Sequence, residues 1–224
     1  MASLAKRTEG NILVVELNRA DKGNALNRAL QQELAQTWQE FEDTDNQRVA
    51  VLQGAANVFS IGHDVQELAR DESMSPVPAD ALFPLAISKP VIAAIEGPCY
   101  GLGFELALAC DLRFAGEGAM FGLADPNLFV PYRLATVLLP RMTFLGKSLE
   151  LIFAGRILSA AQMREARLVS QVTAKGEAAA IALAAAYDMA KRFSSARAFR
   201  KRNIWSLSGM PLPAAMSLAR RPHI

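Results

Sequence analysis

The chain has 224 residues, of which 51% are hydrophobic and 21% charged, and its formal net charge is +2. This length and composition provide for one sizeable core and give no reason to expect a second. The small net charge argues against general nucleic-acid binding. No run of eighteen apolar residues occurs, and residues 1–11 lack the apolar centre of a signal peptide. We therefore expect a cytoplasmic protein that does not bind membranes.

Strand and helix patterns alternate along the chain. The first predicted elements are a strand at Ile12–Leu17, a helix at Asn27–Phe41 capped by Asn27, a strand at Val49–Leu52, a helix at Asp64–Ala69 and a loop at Asp71–Asp80. The next are a strand at Val91–Ile95, a helix at Leu102–Ala109, and strands at Leu112–Ala115 and Met120–Phe121. The last are helices at Leu134–Met142, Lys147–Phe153 and Ala160–Ala166, a strand at Val169–Val172, and a helix at Glu177–Phe193.

The repeated order of strand, turn and helix indicates an α/β protein with buried parallel strands. We expect one α/β core over residues 1–194 and a short helical C-terminal segment over residues 195–224. The only cysteines, Cys99 and Cys110, are predicted to be buried thiols, because no second pair suggests a zinc site.

Two stretches of backbone suggest chemistry: Phe59–Asp64, and Cys99–Glu105 about forty residues later. Each follows an apolar run and opens a predicted helix. The first amides of a helix lack internal partners and lie at the positive end of its dipole. Two such ends directed at one spot could hold an oxyanion, which stabilises charge developing on a carbonyl.

Glu105 is the candidate proton carrier of this site. It lies three residues after Leu102, within the first turn and on the same face of the predicted helix. A carboxylate there could exchange a proton with the carbon next to the bound carbonyl. The alternative is a glutamate that favours a helix N-terminus for its dipole alone. Gly101 and Gly103 favour the first interpretation, because glycines allow a ligand close to the backbone.

Three further residues have both a chemical and a structural interpretation. Asp125 precedes Pro126 and could simply cap a helix, or it could face Glu105 and share acid and base work. His63 could be a surface or capping residue, although its amide is one of the candidate oxyanion donors. Tyr132 could be a packing residue.

The chain also ends in a basic tail, since no Asp or Glu follows Asp188. The tail could be a solvated helix face, or it could bind an anionic ligand or an acidic neighbouring subunit.

At this point the motifs resemble those of a known family. The segments Phe59–Val65, Lys89–Gly97 and Gly101–Asp111 together resemble the crotonase superfamily, whose founding activity is enoyl-CoA hydratase. The resemblance runs from about Ile12 to Phe193. It includes Asn18-Arg19 and Asn24-Ala25-Leu26 near the start and Gly155-Arg156 and Ser159-Ala160 later.

The resemblance implies a spiral of ββα units that binds an acyl-CoA thioester, with the acyl oxygen held by the amides of His63 and Leu102. It implies no cofactor beyond the CoA of the substrate, no metal, and assembly as a homotrimer or hexamer. The residues that it implies for CoA contact are Lys22, Asn24, Ala25, Ile61, Gly62, His63, Asp64, Val65, Gly101, Leu102 and Ala124.

The reaction is less determined than the family. Hydratases of this family carry glutamates at the positions of Glu105 and Asp125, and the aspartate here is shorter by about 1.5 Å, one carbon–carbon bond. The segments Gly62–Asp64 and Val130–Tyr132 resemble methylmalonyl-CoA decarboxylases, in which the equivalents of His63 and Tyr132 would hold the leaving carboxylate.

Decarboxylation of a malonyl-type thioester is therefore expected slightly ahead of hydration or isomerisation of an enoyl-CoA. A non-catalytic acyl-CoA-binding or scaffold protein is the alternative from another class. Relatives also continue for several tens of residues beyond the segment resembling Gly209–Pro213. The basic residues Arg200, Lys201 and Arg202 could partly substitute for the CoA contacts expected there.

Overall fold

The computed structural model describes residues 2–69, 77–123, 134–192, 201 and 203–219. The strands of this part are, in chain order, β1 (Leu4–Glu9), β2 (Ile12–Leu17), β3 (Val49–Gly54), β4 (Val91–Ile95), β5 (Pro98–Tyr100), β6 (Leu112–Gly116), β7 (Met120–Gly122), β8 (Leu158–Ser159) and β9 (Gln171–Thr173). Its main helices are α1 (Arg28–Asp43), α2 (Val65–Leu68), α3 (Ala79–Leu82), α4 (Leu102–Ala109), α5 (Ala135–Met142), α6 (Leu145–Phe153), α7 (Ala160–Glu165) and α8 (Ala178–Lys191). A last helix spans Leu212–Ala219.

The main sheet has six strands in the order β1-β2-β3-β4-β6-β9. Strand β1 is antiparallel to β2, and every other neighbouring pair is parallel. A smaller sheet has the order β5-β7-β8, with β5 parallel to β7 and β7 antiparallel to β8. The predicted α/β class with buried parallel strands is confirmed.

The two faces of the main sheet carry different cores. Alternate strand residues such as Leu13, Leu52 and Ala93 join a large cluster with helices α1 and α4. The residues between them, such as Val14 and Ile92, pack against α8. That helix contacts the sheet through alanines four residues apart, namely Ala178, Ala182, Ala186 and Ala190. Alanine side chains take up little space between the helix and the sheet, so the two backbones can lie close together.

Local signals placed several elements correctly. Strands β2 and β4 and helix α4 have the predicted bounds. The Asn27 side chain accepts a hydrogen bond from the amide of Leu30, as expected of a helix cap. The predicted helix at Asp64–Ala69 is shorter, a single turn at Val65–Leu68. Most of the predicted loop at Asp71–Asp80 lies outside the described residues.

Three strands were not predicted. Strand β1 is mostly polar and exposed, and it exists because all six of its residues pair with β2. Strands β5 and β8 have three and two residues, too few for an alternating pattern to be recognised. Each of these strands depends on its pairing partner rather than on its own periodicity.

The prediction for the cysteines is confirmed, because Cys99 and Cys110 are both buried and free. Burial raises the pKa of the Cys110 thiol to about 12. None of the helices in the described ranges is both long enough and apolar enough to cross a membrane.

Candidate active site

The two predicted stretches of backbone lie side by side. The amide of Ser60 donates to the carbonyl of Pro98 at 3.1 Å, and the amide of Tyr100 donates to the carbonyl of Ser60 at 2.8 Å. Ser60 and Cys99 form a parallel bridge. The stretch from Phe59 therefore runs alongside β5 in the manner of an added strand.

Glycines allow these stretches to approach closely just beyond β5. A β-carbon added to Gly103 would lie 2.6 Å from that of Ser60, which is closer than real side chains come. One added to Gly62 would lie 3.2 Å from the Leu102 nitrogen, and Gly62 has a φ of +99° that disfavours other residues. The peptide that carries the His63 amide thus begins beside the Leu102 amide, so the structure brings the two predicted donors together.

Helix α4 presents its N-terminus at this point. Its first intrahelical hydrogen bond runs from the amide of Glu105 to the carbonyl of Gly101 at 3.0 Å, so the Leu102 amide precedes the helical ladder. All eight residues of the helix are buried. The partial positive charge at the N-terminus acts in a medium that screens it less than water does.

The C-terminus of α4 is held by Arg113, a residue that the sequence did not suggest. Its buried guanidinium donates to the carbonyls of Ala107, Leu108 and Cys110. A cation at this end of a helix opposes the negative end of the dipole. Burial lowers the pKa of Arg113. Its signal in the sequence is only a basic residue in a strand that is otherwise apolar.

Glu105 is 1% exposed and binds a second helix. Its Oε1 atom accepts hydrogen bonds from the amides of Leu134 and Ala135, both at 2.7 Å, at the start of α5. Charge-assisted bonds of this kind are short and directional, so they fix the carboxylate in one orientation. The side chain predicted as proton carrier is thus rigidly held and, at the same time, stabilises a neighbouring helix.

The loop that contains Asn24 is held by the side chain of that residue. Asn24 is fully buried, and its side chain accepts from the amide of Arg19 and donates to the carbonyls of Ala55 and Val58. Ala25 is only 4% exposed. The Asn24 side chain therefore positions the loop, since its polar atoms are used inside the protein, and the contact of this loop with CoA stays a prediction.

Among the residues predicted to contact CoA, those with exposed side chains are apolar or basic. Ile61 is 47% and Val65 is 59% exposed, and Lys22 projects from a short turn at Ala20–Lys22. Gly62 and Gly101 are buried backbone positions, and His63 and Asp64 are half-buried. Among the described residues predicted to contact CoA, Lys22, Ile61 and Val65 are the ones with exposed side chains.

An ion pair links the two segments predicted to contact CoA, the loop at Asn24-Ala25 and residues 61–65. The guanidinium of Arg19 donates to the carbonyl of Ala25 and to the Asp64 carboxylate, the latter at 2.9 Å. Burial raises the pKa of Asp64, but the hydrogen bonds from Arg19 and from the Glu67 amide outweigh it and leave the pKa below its ordinary value. Sequence patterns did not reveal this pair, because 45 residues separate its members.

Three of the predicted site residues, Ala124, Asp125 and Tyr132, lie outside the described residues. The expectation that Lys201 belongs to an anion-binding tail is wrong. Its ammonium donates to the carbonyl of Lys89 and to the carboxylate of Asp111 at 2.9 and 2.8 Å. The Lys201 side chain is 11% exposed, because this pairing holds it against the core.

An α/β fold in which two backbone segments meet at a buried helix N-terminus, beside a carboxylate of the same helix, is that of a crotonase-like protein. The chain matches the profile of the family described as enoyl-CoA hydratase/isomerase over residues 7–222. It belongs to this family.

Relatives and solved structures agree with that assignment. The chain is 32% identical to 2,3-dehydroadipyl-CoA hydratase of Escherichia coli (strain K12) over 99% of this chain and 89% of that protein. It is 39% identical to YngF of Bacillus subtilis (strain 168), which carries a hydratase/isomerase name, over 73% of this chain and 66% of YngF. The chain thus spans just under two thirds of YngF.

The crystal structure of an enoyl-CoA hydratase from Bacillus anthracis superposes with a TM-score of 0.88 at 29% identity, covering 98% of this chain and 88% of that one. These relatives carry hydratase or isomerase names. The preference for decarboxylation expected from the sequence gains no support from them.

Proposed function

We propose that the protein is an acyl-CoA enzyme that hydrates a 2-enoyl-CoA or moves its double bond. The observation that carries this proposal is the meeting of Gly62 and Leu102, which puts two backbone donors beside the helix that bears Glu105. Such donors favour the transition state because negative charge grows on the thioester oxygen as the reaction proceeds.

In hydration, the oxygen of water bonds to the β-carbon of the enoyl group, and the electrons of the double bond move onto the thioester oxygen. The amides of His63 and Leu102 would stabilise that enolate. Glu105 would take a proton from the attacking water and return it to the α-carbon as the enolate collapses, which completes the addition. Isomerisation uses the same enolate and needs only removal of a proton from one carbon and its return to another.

Two observations support this reaction over decarboxylation. A decarboxylation needs no base to begin, because the breaking bond supplies the electrons of the enolate. Here, however, a buried carboxylate is held in one orientation on the helix that carries a donor. The relatives are also named as hydratases or, for YngF, as a hydratase/isomerase.

The test is a panel of thioesters analysed by mass spectrometry: crotonyl-CoA, a longer 2-enoyl-CoA, a 3-enoyl-CoA, malonyl-CoA and methylmalonyl-CoA. We expect a 2-enoyl-CoA to gain one water, or a 3-enoyl-CoA to become conjugated at unchanged mass, as followed by ultraviolet absorbance. Loss of CO2 from a malonyl thioester, with the enoyl thioesters unchanged, would establish a decarboxylase. Binding in calorimetry without any product would establish a non-catalytic acyl-CoA-binding protein.

A further inference from the structure

We infer that the Arg19–Asp64 ion pair is a positioning device for the His63 amide, and this inference rests on the proposed function. Neither side chain needs to touch the substrate for this role. Their effect would be exerted through the short stretch of backbone that carries the donor.

The ion pair lies beside an isolated β-bridge. The amide of Leu26 donates to the carbonyl of Gly62 at 2.7 Å, and Leu26 and His63 form an isolated parallel bridge. Arg19 binds the residue before Leu26, through the Ala25 carbonyl, and the residue after His63, through the Asp64 carboxylate. One guanidinium therefore spans both sides of the bridge that contains the predicted donor.

The chemistry of arginine suits this task. Its planar fork presents several donors in a fixed geometry, so that two acceptors are held at a set separation. The side chains of Arg19 and Asp64 are 18% and 15% exposed, which limits screening by water. The backbone of Arg19 is itself fixed, because its amide donates to the buried Asn24 side chain.

The residue before the His63 donor is a glycine, which has more backbone conformations available to it than other residues. Gly62 has a φ of +99°, and its own amide donates to the hydroxyl of Ser60 at 3.1 Å. On the other side, Asp64 caps the one-turn helix α2, with its carboxylate 3.4 Å from the Glu67 amide. A single turn adds little rigidity. The ion pair adds a side-chain contact to the backbone hydrogen bonds, from Ile61 to Gly23 and from Leu26 to Gly62, that tie this segment to the loop opposite.

Loosening the pair should weaken catalysis more than binding. Removing an oxyanion donor costs about 10²–10³ in kcat, and a misplacement of about 1 Å costs on the order of 10². Partial displacement of the His63 amide should therefore lower kcat about tenfold. KM should change less than kcat, because only Ala25 and Asp64 among the residues predicted to contact CoA take part in the pairing, and the exposed Ile61 and Val65 do not.

The experiment uses Arg19→Lys and Asp64→Asn in the full-length chain. Arg19→Lys keeps the charge but replaces the fork by a compact ammonium, and Asp64→Asn keeps the shape and an oxygen for the helix cap. The first readout is kcat and KM on the 2-enoyl-CoA that the wild type uses. The second is the infrared carbonyl stretch of bound butyryl-CoA labelled with ¹³C at the thioester carbonyl, which reports polarisation by the two amides without turnover.

Lys201→Met is the matched control, because the Lys201–Asp111 pair is similarly buried and involves neither bridge residue. We expect both test variants to lose kcat and part of the carbonyl shift, with the lysine variant less affected than the asparagine variant. The control should lower only the thermal midpoint. If Asp64→Asn does not fold, Arg19→Lys alone decides the question.

Two outcomes overturn the inference in distinguishable ways. Folded variants with the wild-type carbonyl shift and the wild-type kcat would show that the pair is merely structural, and the proposed function would stand. A wild type that binds butyryl-CoA without any shift of its carbonyl stretch would overturn the proposed function together with the inference.

Discussion

Two carboxylates of this chain make nearly the same contacts on opposite faces of the main sheet. Glu105 accepts from the amides of Leu134 and Ala135 at the start of α5. Glu96, directly after β4, accepts from the amides of Gly176 and Ala178 at the start of α8, at 3.0 and 3.1 Å. Each side chain thereby neutralises the positive end of a helix.

The two carboxylates differ in their burial and in the backbone groups near them. Glu105 is 1% exposed and lies in the first turn of α4, the helix whose first amide meets Gly62. Glu96 is only half-buried and lies against Gly116 and the helix that covers the other face of the sheet. A helix-capping contact is therefore no guide to chemistry. The nearby backbone donors are the distinguishing feature.

The largest expected effect is that of Glu105→Gln. The amide side chain keeps an oxygen for the two α5 amides but cannot carry the proton, so kcat should fall by about 10²–10⁴ while the protein stays folded. Steady-state kinetics on the best thioester of the panel and circular dichroism measure the two quantities. A near-normal kcat would assign Glu105 to structure alone and put it on a par with Glu96.

Leu102→Pro tests the backbone donor itself. Proline is well tolerated at the first position of a helix and has no amide hydrogen, so the variant removes the donor where the fold is least disturbed. We expect kcat to fall by about 10²–10³.

The matched control for this variant is Leu102→Ala, which keeps the amide. Leu102 is 1% exposed, so its truncation should lower the free energy of unfolding by about 2–5 kcal/mol without the same loss of kcat. Equal kinetic losses in the two variants would mean that the side chain, and not the amide, is what the reaction needs.

The smallest expected effect is that of Glu96→Gln. Loss of the charge at the start of α8 should lower the free energy of unfolding by roughly 1 kcal/mol, because the dipole is no longer opposed. Activity should be unchanged. Urea unfolding followed by circular dichroism, together with kcat on the same thioester, measures both. A clear loss of kcat at unchanged stability would contradict the division between the two carboxylates.

Much of the site was predictable because its parts are local. The bounds of β4 and α4 follow from continuous apolar runs, and Gly101, Leu102 and Glu105 lie within five residues of one another. The capping partner of Glu105 was not predictable, since Leu134 is 29 residues away and no local pattern links the two. The structural role of Asn24 was not predictable for a similar reason, because its partners are brought together only by folding.

The sequence by itself determined the family, the α/β class, the helix cap at Asn27 and the two stretches of backbone at the site. These depend on periodicity, glycine placement and short motifs, which act over a few residues. Only the tertiary structure decided that Lys201 is tied to Asp111, that Arg19 reaches Asp64, and that the stretches meet at Gly62 and Leu102. Those contacts join residues 40 to 90 positions apart, and they form only on folding, because buried polar groups then need a partner inside the protein.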